Sequence, residues 1–127
     1  MPLIRIAVPR GTPSAVKQKL SDAIHSSLLS AFNVPEQDKF HLIDEHSPDD
    51  MVVTPEYLGI KYSPKFVAIQ ITANEGRTVE MKKALYLSIA TKIAATTDIP
   101  ISDVFINLIE VKKENWSFGN GLAQYAQ

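Results

Sequence analysis

Pro2-Leu3-Ile4-Arg5-Ile6-Ala7-Val8 returns later in the chain as Val67-Ala68-Ile69-Gln70-Ile71-Thr72-Ala73, and that recurrence decides the fold. Shifted by 65 positions, residues 2–46 fall on residues 67–111 without a gap, and ten of these 45 positions are identical. The matched pairs are Ile4/Ile69, Ile6/Ile71, Gly11/Gly76, Lys17/Lys82, Leu20/Leu85, Ile24/Ile89, Pro35/Pro100, Asp38/Asp103, Phe40/Phe105 and Glu45/Glu110. An ungapped register that also keeps every apparent element boundary is the mark of duplication.

Within the first copy, Ile4, Ile6 and Val8 alternate with Leu3, Arg5 and Ala7, the period of a strand. Pro9-Arg10-Gly11 ends it, and Thr12-Pro13 reads as a helix start, a capping hydroxyl followed by proline at the first helical position. Val16, Leu20, Ile24, Leu28 and Phe32 then recur at helical spacing until Asn33-Val34-Pro35. A second strand follows over residues 39–45. The second copy repeats the series as strand 67–73, a helix from about Thr78, a turn at Ile99-Pro100 and strand 104–111. Each copy is thus a β-α-β unit with parallel strands and a right-handed crossover.

The expected fold class is α/β (α+β): a tandem β-α-β duplication giving a four-stranded sheet with both helices on one face. The chain forms a single domain over residues 1–127, with repeat units 2–46 and 67–111 and a connecting loop over 47–66. The loop carries Pro48, Pro55, Gly59 and Pro64, and a short strand is expected around Tyr57 to Ile60. Trp116-Ser117-Phe118, a glycine-rich turn and Leu122 to Tyr125 predict a C-terminal hairpin over residues 112–127, with Trp116 and Phe118 on one face. The sheet's second face, bearing Leu3, Arg5, Ala7, Ala68, Gln70 and Thr72, is only partly polar, so further copies of the chain are expected to cover it.

Composition narrows the partners. Thirteen Lys plus Arg stand against fourteen Asp plus Glu, for a formal charge of -1. No basic field points to nucleic acid and no polybasic or long apolar run points to a membrane. Small molecules and other protein chains are the expected partners. The chain has no cysteine, hence no disulfide framework and no thiolate chemistry, which suits a cytoplasmic location. His25, His41 and His46 lack zinc-ligand spacing and no glycine-rich phosphate loop follows a strand, so no metal or cofactor is expected. His25 and His41 read as ordinary partly buried histidines; His46 is left open.

Three residues stand out chemically. If Met1 is removed, Pro2 presents a secondary amine fixed at the start of an apolar strand, an acid or base that no side chain supplies; the alternative is a second-position proline with no role. Arg77 stands at the start of a helix, where the amide dipole disfavours a cation, while the first copy has Thr12 in its place. Arg77 and the free amides of that helix could form an anion site, or Arg77 could be a solvated surface residue. Asp38 is ambiguous, because its mate Asp103 sits in the same Pro-x-x-Asp turn pattern.

Pro2, the duplicated units, Gly76-Arg77-Thr78-Val79-Glu80-Met81-Lys82-Lys83-Ala84-Leu85-Tyr86 and above all Asn115-Trp116-Ser117-Phe118-Gly119-Asn120-Gly121 resemble the tautomerase superfamily, with its 4-oxalocrotonate tautomerase-like (tautomerase/MIF-like) fold. The likeness is to the long-chain branch that includes malonate semialdehyde decarboxylase, and it runs from Pro2 to about Tyr125. It implies a homotrimer, the amino-terminal proline Pro2 as catalytic acid or base, and Arg77 as the group binding a substrate carboxylate or carbonyl. In the decarboxylase branch an aspartate matches Asp38, and Trp116 and Phe118 match an apolar wall of the pocket. That branch carries two arginines between the third strand and the second helix, whereas Ala73-Asn74-Glu75-Gly76-Arg77 offers one. The expected activity is therefore keto-enol tautomerisation of a small 2-oxo acid. The alternatives are decarboxylation or hydration of a 3-oxo acid by protonated Pro2 with Asp38, or a non-catalytic ligand-binding trimer.

Overall fold

The computed structural model describes residues 2–126. Its sheet consists of β1 (Leu3–Pro9), β2 (His41–His46), β5 (Val67–Asn74) and β6 (Val104–Val111) in the order β2-β1-β5-β6. Helix α1 (Ser14–Phe32) links the parallel pair β1/β2, and α2 (Val79–Thr96) links the parallel pair β5/β6. The copies join through antiparallel β1/β5, where Arg5 faces Gln70. These two are mates in the 65-residue offset, so a local two-fold axis passes between them and each half sees the other alike.

Alternation sorts the strands into faces. Ile4, Ile6 and Val8 on β1, with Val67, Ile69, Ile71 and Ala73 on β5, are buried against Leu20, Ile24, Leu28, Leu85, Ile89 and Ile93 of the helices. A core of this kind stabilises mainly through apolar area removed from water. On the opposite face Phe40, Leu42, Phe105 and Ile109 remain 42–48% exposed, beside an Arg5–Asp44 ion pair at 3.6 Å. The face that the pattern left uncovered is apolar in four large side chains.

Duplication extends to polar contacts. Lys17 on α1 meets Glu45 at the end of β2 at 2.7 Å, and Lys82 on α2 meets Glu110 on β6 at 2.8 Å. The Gly11 amide donates to Glu45, and both carboxyls are held below the usual range, first by their lysine and then by the turn amide or the lysine's charge. Gly11 and Gly76 adopt φ of +86° and +119°, a region that L side chains rarely enter, which accounts for glycine at this turn in both copies.

Several local expectations are corrected. Helix α1 begins at Ser14 with Pro13 outside it and no side-chain cap; the Thr12 hydroxyl instead donates to the Pro9 carbonyl at 2.6 Å. The tight turn at Gly11 draws Thr12 back onto the strand it has just left. Thr78 does cap α2, accepting from the Met81 amide at 3.1 Å. The loop holds a small hairpin, β3 (Glu56–Tyr57) with β4 (Ile60–Lys61). The hairpin expected over residues 112–127 does not form: among the described residues no strand follows Val111, and Lys113–Asn115 and Gln124–Ala126 are single 3-10 turns. Gln124 accounts for this, because its side chain accepts from the Phe118 amide and donates to the Gly119 carbonyl, both at 2.9 Å, taking the backbone groups that a ladder would need.

Candidate active site

Strand direction gathers the candidate residues at one end of the sheet. Leu3 pairs with Thr72 in antiparallel register, so β1 begins where β5 ends, and buried Pro2 lies alongside the run into Asn74. Asn74 pairs with Val111, which brings the end of β6 and the segment through Trp116 to the same place. On the other flank of β1, the Ile4 amide donates to the Phe40 carbonyl at 2.9 Å, setting half-buried Asp38 just ahead of β2. Pro2 thus stands immediately before β1, between the segment of Asp38 and the segment of Arg77.

Arg77 does not lie against the dipole of its own helix, as its sequence position implies. Its guanidinium donates to the Asn74 carbonyl at 3.0 Å and to the Phe32 carbonyl at 3.5 Å, and it covers the Phe32 ring at 4.9 Å. Phe32 is the last residue of α1, where the helix dipole is negative, so the cation sits at the favourable end of a different helix. Of the first-turn amides of α2, that of Met81 is taken by the Thr78 hydroxyl. With two contacts to carbonyls, a guanidinium of five N–H donors still has donors for an incoming carboxylate.

Asn74 is the residue that the sequence reading missed. Its backbone carbonyl holds Arg77 and its side-chain oxygen accepts from the Trp116 indole at 2.7 Å, tying the cation to the aromatic wall. Comparison of the copies could have found it, because its mate is Pro9, which has no side-chain hydrogen-bonding group. Phe118 stacks on Trp116 with ring centres 5.6 Å apart, and Tyr125 meets Phe118 edge-on at 4.8 Å. An ordered aromatic surface therefore adjoins a fixed cation.

The duplicated aspartates diverge. Both turns close through backbone, Asp38 to the Pro35 carbonyl at 3.0 Å and Asp103 to the Pro100 carbonyl at 2.9 Å. The fully buried Asp103 carboxylate additionally accepts from the Ser63 amide at 2.7 Å and from the Ser63 hydroxyl, clamping the connecting loop. His25 shares a hydrogen bond of 2.8 Å with the Glu36 carbonyl, and His41 opens β2 opposite Ile4, with the two rings edge-on at 6.0 Å. The His41 ring shares a hydrogen bond of 2.7 Å with Ser21 and is pushed down to about 4, first by burial and then by Lys39. His46 lies at the opposite end of the sheet.

A family described as tautomerase enzyme matches residues 38–119, and a second family of the same description matches residues 2–61. Probable tautomerase YusQ of Bacillus subtilis (strain 168) is 40% identical over 124 residues, 98% of each chain. Among solved structures, a malonate semialdehyde decarboxylase inhibited by 3-bromopropiolate is 33% identical with a TM-score of 0.90, covering 98% of this chain and 94% of the other. A malonate semialdehyde decarboxylase studied for its decarboxylase and hydratase activities is 28% identical with a TM-score of 0.89, covering 98% and 95%. Sequence match across both copies and backbone agreement along nearly the whole length lead to one conclusion: the chain belongs to the tautomerase family, enzymes of the isomerase or a related kind.

Proposed function

We propose that the chain is a keto-enol tautomerase of small 2-oxo acids, with Pro2 as general base and acid. The observation that carries this reading is Arg77, held by Asn74 and Phe32 with donors to spare, at the end of the sheet where the buried Pro2 begins. Arg77 takes the substrate carboxylate and Trp116 and Phe118 take its apolar body. The neutral Pro2 amine removes the proton from the carbon beside the ketone, electrons move onto the ketone oxygen, and the protonated amine returns a proton to complete the enol. A fixed cation near the developing oxyanion lowers the barrier because it needs no reorganisation during the reaction.

The identity to malonate semialdehyde decarboxylases favours a second reading, decarboxylation or hydration of a 3-oxo acid by protonated Pro2 with Asp38 positioning water or substrate. Asp38→Asn separates the two. The turn closes through the Asp38 amide, so this change spares the backbone bond. It should leave enol formation within a few-fold while cutting carbon dioxide release or hydration by about tenfold or more, if any occurs. Equal loss in every reaction would make Asp38 a structural residue. Ketone, enol and carbon dioxide are each measured on the same preparation.

The working assembly in this reading is a homotrimer whose copies cover Phe40, Leu42, Phe105 and Ile109, since an apolar sheet face of that kind is ordinarily buried. Light scattering should give about three times the 14.1 kDa chain mass. A monomer at micromolar concentration contradicts it.

A further inference from the structure

Duplication dictates that the end of the sheet opposite Pro2 is a counterpart of the candidate active site. Continuing the offset of 65 sends Trp116 to Met51, Phe118 to Val53, Arg77 to Thr12 and Pro2 to Val67. Met51 and Val53 both line a cavity of about 310 Å³. It opens beyond the carboxyl ends of parallel β1 and β2, where Pro9 pairs with His46 and the Arg10 amide donates to the His46 carbonyl at 2.8 Å. The first site has the same relation to β5 and β6, and crevices beyond the carboxyl ends of parallel strands are recurrent ligand sites. The connecting loop supplies the remaining wall, including Tyr62 edge-on to Phe66 at 5.2 Å, and is itself clamped by the buried Asp103.

The chemistry of this end differs. Val67 lies within the chain, so its nitrogen is an amide and cannot exchange a proton as an amine does. Thr12, in the place of Arg77, spends its hydroxyl on the Pro9 carbonyl. The cation comes instead from Arg10, whose mate is the acidic Glu75. Nearby Glu45 is taken by Lys17 and the Gly11 amide; the Arg10 charge acts on that carboxyl only as the weakest of its influences, and among the described residues the guanidinium makes no hydrogen bond or close ion pair. An arginine with its donors uncommitted at the wall of a largely apolar cavity matches a carboxylate on an apolar body. Ligand sites span about 300–1,000 Å³, so this volume admits only a small occupant.

We propose that this cavity is a second, non-catalytic site for a small aryl or branched alkyl monocarboxylate, bound through Arg10, in which duplication has kept the pocket and lost the amine. The proposal does not depend on the catalytic role of Pro2. Its test is a titration of the ¹⁵N-labelled whole protein with 3-phenylpropanoate, which has no ketone to turn over. The single tryptophan, Trp116, lies at the first site, so its indole N–H resonance reports that site alone. Saturable shifts are expected at the amides of Arg10, His46 and Ser63. Arg10→Ala and Arg10→Gln should weaken these by about tenfold or more while the Trp116 response persists, and Arg77→Ala should do the reverse. The neutral 3-phenylpropanamide should bind the second cavity about tenfold more weakly than the acid. The spectrum of each free variant shows that it is folded. Absence of saturable shifts at millimolar ligand overturns the proposal. So does equal binding of the amide, or loss of both sets of shifts together in Arg77→Ala.

Discussion

A chain that keeps any acyl group on the Pro2 nitrogen is expected to turn over a 2-oxo acid about 10²- to 10⁴-fold more slowly than a chain that begins at Pro2, the usual contribution of a positioned acid or base. Acylation makes the nitrogen a tertiary amide with its lone pair committed to resonance, so it neither accepts nor donates a proton near neutral pH. In the proposed mechanism burial and the Arg77 cation disfavour a protonated Pro2 amine while a close Asp38 favours it, so desolvation has to tip the balance toward the neutral base. The expectation that the working form starts at Pro2 concerns Met1, which lies outside the described residues. Both forms are to be prepared, identified by intact mass and assayed on the same acid. Equal turnover would remove Pro2 from the mechanism, whatever the family.

Arg77→Ala carries the second large expected effect, a loss of about 2 to 4 kcal/mol in transition-state stabilisation, or roughly 30- to 1000-fold in kcat/KM. Two contributions have to be separated, because Arg77 also joins Asn74 to the end of α1. A structural loss affects all substrates alike, whereas loss of a carboxylate partner falls on the acid. The methyl ester of the same 2-oxo acid should therefore lose far less than the acid. Arg77→Lys should recover only part of the acid's rate, since an ammonium keeps the charge without the planar fork. A loss under about threefold for the acid, or equal losses for acid and ester, would return Arg77 to a structural role.

The architecture was legible in the sequence because its determinants are local or periodic. Ile4, Ile6 and Val8 declare a strand by alternation, Leu20, Ile24 and Leu28 declare a helix by spacing, and the 65-residue offset declares that both occur twice. What failed was decided by contacts between residues distant in sequence. The C-terminal residues carry strand and turn signals, yet the Gln124 side chain occupies the Phe118 amide and the Gly119 carbonyl, and no ladder forms. Arg77 appears misplaced beside its own helix dipole until the fold brings the end of α1, 45 residues away, beneath its guanidinium.

The candidate site divides along the same line. Its residue types, a proline, an arginine, an aspartate and an aromatic pair, could be named from sequence, partly through family resemblance. Their arrangement could not, because Asn74 acquires its place only when antiparallel β1/β5 and parallel β5/β6 pairing carry three segments to one end of the sheet. The sequence by itself determined the repeat, the elements and the faces they bury, since side-chain periodicity is written along the chain. Only the tertiary structure decided that Arg77 rests on Phe32, that Asp103 clamps a loop and that Met51, Val53 and Arg10 line one cavity, because strand register and helix packing bring together residues whose separation along the chain carries no signal of contact.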